Sequence, residues 1–113
     1  MKCLDEFLDK QFDFNSYTCA DFVVEVWRFL TGEDLTECKD EFTLRTQRMN
    51  LLSRREKLDE PVEPCLVLIS RENETPHVGV YYDAKLIHLN SLIGVRRHKL
   101  EDLPKGYVVD FYA

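Results

Sequence analysis

The chain has 113 residues, 44% hydrophobic and 12% aromatic, which is enough to fill one core and too little for two domains. Acidic residues outnumber basic ones by 21 to 15, giving a formal charge of −6 and removing the general attraction to nucleic acid and anionic lipid that basic faces provide. The longest apolar run, Cys65 to Ile69, is five residues, against the roughly 20 needed to cross a bilayer.

In chain order, Met1-Lys2-Cys3-Leu4-Asp5-Glu6 enters an acidic amphipathic pattern at once. It lacks the basic start and apolar stretch of a secretory leader, so synthesis in the cytoplasm is expected, with any outside site of action reached by another route. Leu4, Phe7, Leu8 and Phe12 recur at helical spacing and predict a first helix ending before Asn15-Ser16. Thr18 is placed to cap a second helix carrying Cys19, Phe22, Val23, Val26, Trp27 and Leu30 on one face, with Gly32 as its stop. Phe42, Leu44 and Met49 among charges predict a third helix around Lys39 to Leu52, and Ser53 to Pro64 reads as a connecting loop.

From Cys65 the period changes to that of strands. Five are predicted: Cys65 to Ile69, His77 to Tyr82, Lys85 to Asn90, Gly94 to Leu100 and Gly106 to Tyr112. Asp83-Ala84 reads as a two-residue turn, and the short loops make the pairing antiparallel. The expected fold is α+β in one domain over 1–113, with N-terminal helices packed on a five-stranded, mainly antiparallel meander.

Four cysteines, Cys3, Cys19, Cys38 and Cys65, contain no C-x-x-C pair and read as thiols. Cys19 stands apart because it opens the second helix on its apolar side, where helix-terminal amides favour a thiolate. His77, Gly79 and Tyr81 share one face of their strand. If Tyr82 pairs with Lys85 across the turn, Gly79 lies opposite His88 and His77 opposite Asn90. His88 is then the diagonal neighbour of His77, and two imidazoles on one face can serve as a base and its orienting group. His98 lies in the basic run Arg96-Arg97-His98-Lys99, which reads as a solvated face. No two Cys or His residues share a compact ligand spacing, and no Gly-rich phosphate loop occurs, so no metal or other cofactor is expected.

Tyr17-Thr18-Cys19-Ala20-Asp21-Phe22-Val23 resembles the nucleophile segment of the NlpC-like cysteine peptidases, a papain-like superfamily that cleaves bacterial cell-wall peptides. Pro76-His77-Val78-Gly79-Val80-Tyr81 is similar to that family's His-Val-Gly-apolar-Tyr strand, and Leu86-Ile87-His88 to the strand that follows it. The likeness runs from Asn15 to Tyr112 and is nearest to short, single-domain members of phages and prophages. It implies a papain-like fold in which Cys19 is the nucleophile, His77 the general base and His88 the residue that orients it. The Cys19 amide would help hold the oxyanion, and Tyr17 would line the pocket or add to that hole. Asn90 is the alternative orienting residue, because the register above sets it opposite His77.

The family usually has Asp before the cysteine and Ser-Gly after it; here Thr18 precedes and Ala20-Asp21 follow. The usual Gly-Asp entering the first strand is replaced by Glu63-Pro64-Cys65. These residues flank the cleft, so they bear on the substrate more than on the triad. The resemblance implies a thiol hydrolase acting on an amide in a peptide or peptidoglycan fragment. The alternatives are an amidase, acyltransferase or delivered antibacterial toxin on the same fold, or a silent structural module with a phage-tail or delivery partner.

Overall fold

At Thr18 the chain turns into helix α1, Cys19–Thr31. The Thr18 N–H donates to the Asp21 carboxylate at 2.8 Å and its hydroxyl donates to the same oxygen at 3.2 Å, which ties the cap to the first turn. Gly32 ends the helix with φ +80°, a left-handed position that a side chain would strain, and its N–H donates to the Arg28 carbonyl at 2.8 Å. Phe22, Val23 and Val26 are wholly buried against the sheet, each contributing about 1.5–3 kcal/mol of burial.

The computed structural model describes residues 2–13, 15–35, 55–74 and 76–113. The third helix expected around Lys39 to Leu52 lies outside them, as does Cys38. The expected first helix is instead a single 3-10 turn, Asp5–Phe7. One turn suffices to bury Leu4 and Phe7. Beyond it the Asp13 side chain accepts the Asn15 N–H at 2.8 Å, and Asp13 and Tyr17 exchange backbone hydrogen bonds at 2.7 and 2.8 Å. Such local bonding by Asp competes with helix and here prevails.

Among the described residues six strands form an antiparallel sheet: β1 (Lys57–Leu58), β2 (Cys65–Ser70), β3 (His77–Tyr82), β4 (Lys85–Asn90), β5 (Gly94–His98) and β6 (Val108–Tyr112). Their order is β1-β6-β2-β3-β4-β5. The expectation of five strands therefore needs correcting. β1 arises inside the segment read as a loop, because Lys57 and Leu58 pair with Tyr112 and Phe111. β6 inserts between β1 and β2 instead of ending a meander. The Asp83-Ala84 turn is as expected, with both residues at positive φ (54° and 58°) and Tyr82 opposite Lys85.

The two faces of the sheet carry separate cores. Leu66, Leu68, Val78, Val80, Ile87 and Leu89 meet α1. Cys65, Val67, Ile69 and Leu86 point the other way, toward Tyr81, Tyr107 and Phe111. Ile69 is paired with His77, so the histidine belongs to this second face. Among the described residues no helix is long and apolar enough to cross a membrane.

Candidate active site

A cavity of about 740 Å³ opens where β2 ends, β3 begins and β4 turns into β5, and Cys19, His77, His88 and His98 all line it. Each reaches it for a local reason. Cys19 is the first residue of α1 and is half-buried. The first amides of any helix lack an acceptor within it and favour negative charge beside them. His77 opens β3, and His88 lies inside β4 at 7% exposure. Gly79 lets the two strands approach: a Cβ there would lie 2.9 Å from the Ile87 carbonyl oxygen and 3.1 Å from His88 Cβ.

The result is direct contact between imidazoles. His77 Nε2 lies 2.8 Å from His88 Nδ1, with ring planes at 76°. His88 Nε2 lies 3.0 Å from His98 Nε2, with ring planes at 87°. His98 Nδ1 in turn lies 2.8 Å from the Lys99 carbonyl oxygen. Burial, and then the cost of adding a positive charge beside His77, His98 and Arg96, pushes the His88 imidazole down to about 3. His88 is therefore a neutral ring in the physiological range.

Other candidates are placed differently. Asn90 lines the cavity, but its side-chain oxygen accepts the Leu92 and Ile93 N–H groups at 2.8 and 3.2 Å and shapes the β4–β5 turn. Of the two orienting candidates it is His88 that touches His77. Tyr17 is not among the residues lining the cavity. Its hydroxyl donates to Glu25 at 2.7 Å, and burial followed by that carboxylate pushes the phenol upward. A pocket or oxyanion role for Tyr17 is thus replaced by a structural one at the start of α1. No disulfide joins Cys3, Cys19 and Cys65. Cys65 is wholly buried, and that burial raises its thiol away from the thiolate.

His98 was read from the sequence as part of a solvated run, and the structure corrects this. Arg96, Arg97 and Lys99 are exposed, whereas His98 is half-buried against His88. The missed signal was strand alternation. Arg96 pairs with His88 and His98 with Leu86, so His98 returns to the same face one step along. The far wall is polar and of mixed sign: Arg71 lies over the Tyr107 ring at 5.3 Å and 4.0 Å from Glu74, with Asp102 nearby on the lining. Among the described residues no group of three or more His, Cys, Asp or Glu side chains is placed to hold a metal ion.

The fold and the site together define an α+β domain with a helix-terminal cysteine and a chain of imidazoles in one cleft. Comparison with family models, curated proteins and solved structures returned no match.

Proposed function

We propose that the chain is a cysteine hydrolase of the NlpC-like, papain-fold kind, cleaving an amide bond in a cell-wall-type peptide. The observation that carries this reading is the shared cavity of Cys19, at the start of α1, and the hydrogen-bonded His77–His88 pair. Its volume of about 740 Å³ suits a short peptide, since small-ligand sites run about 300–1,000 Å³.

The chemistry follows the general cysteine-nucleophile scheme. His77 takes the Cys19 proton, and the thiolate attacks the amide carbonyl. The first-turn amides of α1 face the developing oxyanion. As the C–N bond breaks, His77 returns the proton to the leaving amine and a thioester remains on Cys19. His77 then deprotonates a water, which attacks the thioester and releases the acid and the thiol. His88 orients His77 throughout.

Purified peptidoglycan fragments should be incubated with wild type and Cys19→Ala. New amine released by wild type alone is the expected result, and transfer of the acyl group to an added amine would mark the acyltransferase form of the same chemistry. Absence of both overturns the proposal. Iodoacetamide at mildly acidic pH is expected to label Cys19 well before the other cysteines.

A further inference from the structure

We propose that His98 is a positioning residue of this site: through His88 it fixes the proton of His77 on Nε2 and leaves Nδ1 as the basic nitrogen. The base assignment rests on the function proposed above; the proton order does not.

The proton order is set from the backbone inward. A carbonyl oxygen only accepts, so at 2.8 Å from the Lys99 carbonyl His98 Nδ1 must carry a hydrogen. A neutral imidazole has one N–H, so His98 Nε2 presents a lone pair. The hydrogen in the 3.0 Å contact with His88 Nε2 then belongs to His88. Neutral His88 in turn presents a lone pair on Nδ1, and the hydrogen in the 2.8 Å contact belongs to His77 Nε2. One carbonyl therefore sets three tautomers in series. That carbonyl is itself fixed: Lys99 oxygen also accepts the Asp102 N–H at 3.1 Å, within the 3-10 turn Leu100–Asp102, while the Lys99 N–H donates to the Asp102 carboxylate at 3.3 Å. Strand pairing holds the rings in sequence, since β3, β4 and β5 are neighbours in the sheet. The reverse order requires both His98 nitrogens to be protonated and puts the hydrogen on His77 Nδ1, where it blocks proton transfer from Cys19.

The test is a direct reading of tautomers by 15N-imidazole NMR at pH 8, above the ordinary imidazole range. Wild type is expected to show His98 as Nδ1–H and both His88 and His77 as Nε2–H. A hydrogen on His88 Nδ1 overturns the proposal without any variant. His98→Gln keeps an acceptor for His88, whereas His98→Phe keeps only the volume. The Phe variant is expected to slow Cys19 alkylation roughly tenfold, the worth of one lost hydrogen bond, and to move His77 toward Nδ1–H. The Gln variant is expected to stay within about twofold of wild type. Equal rates and tautomers in both variants overturn the positioning role. Should His98→Phe fail to fold, His98→Leu, which also lacks an acceptor, takes its place, and the wild-type spectrum decides the proton order in either case. The expected tautomers without any hydrolysis would sink the proposed function and leave the relay standing; hydrolysis with reversed tautomers would sink the relay alone.

Discussion

Gly79→Ala asks whether the contact between His77 and His88 depends on close strand packing. The new methyl would stand 2.9 Å from the Ile87 carbonyl oxygen, 2.9 Å from Leu86 Cδ1 and 3.1 Å from His88 Cβ. Carbon contacts are comfortable at about 3.5–4.0 Å, so three atoms must each give way by roughly half an ångström or more. Leu86 is wholly buried and has little room to rotate. The Ile87 oxygen is backbone, so relief requires β4 to move and to carry His88 with it. Forcing a methyl into such a core costs about 1–3 kcal/mol. Restricting the unfolded chain returns about 0.4–1 kcal/mol of that. The midpoints of those ranges leave a net loss of about 1.3 kcal/mol, which at this chain length lowers the melting temperature by roughly 5 °C. Calorimetry measures this shift, and the Cys19 alkylation rate, expected to fall, reports the displaced His88. Gly32→Ala is the control: nothing lies within 4 Å of its Cβ position, so only left-handed strain of about 1 kcal/mol acts there and the alkylation rate stays unchanged. A Gly79→Ala protein melting within about 2 °C of wild type, with an unaltered alkylation rate, would refute the packing argument.

Two further outcomes follow from charge and capping. His88 titrates in the fold only near 3, whereas in the unfolded chain it takes a proton at about 6.5. Between those values the unfolded state binds more protons, so stability falls as pH drops below about 6.5, by about 1.4 kcal/mol per unit, and His88 contributes no slope above it. Urea unfolding at pH 7 and pH 5 should show wild type losing about 2 kcal/mol more than His88→Phe; matching losses would contradict a neutral, buried His88. Asp21→Ala removes the acceptor of the Thr18 N–H and is expected to cost about 1 kcal/mol, seen as a lower urea midpoint at unchanged slope.

What could be read from the sequence was local. The α1 boundaries follow from Thr18, an apolar stripe and Gly32, all within one helix length, and they match Cys19–Thr31. β3 and β4 match residue for residue, because alternation and a two-residue turn leave one register around Tyr82 and Lys85. Long-range pairing was not legible. Lys57 and Leu58 are strand only because the C-terminal strand lies beside them, and no pattern two residues long can announce that. The spacing of Leu4 and Phe7 correctly marked core positions but overstated the helix, since Asp13 found local partners first. At the site, the His77–His88 pair was visible from parity, and His98 was obscured by its charged neighbours. Whether Asn90 or His88 met His77 depended on which amide hydrogens the β4–β5 turn claimed, and the turn claimed Asn90.

The basic run around His98 has a meaning besides solvation. Among the described residues β5 stands at the end of the strand order and pairs on one side only, with β4. Its outer row of amides and carbonyls is a template on which another chain could add a strand. Arg96 and Arg97 on this short border strand, and Lys99 just past its end, are exposed, with Arg96 also lining the cavity and Arg97 reaching Asp5 at 3.2 Å. Crowding an incoming strand with positive charge discourages that addition. Along this border His98 turns inward to the cleft, against His88. Parity sets Arg97 on the helix side of the sheet and leaves Arg96 beside His98 on the cleft side, so one short strand both guards a flank and orders protons.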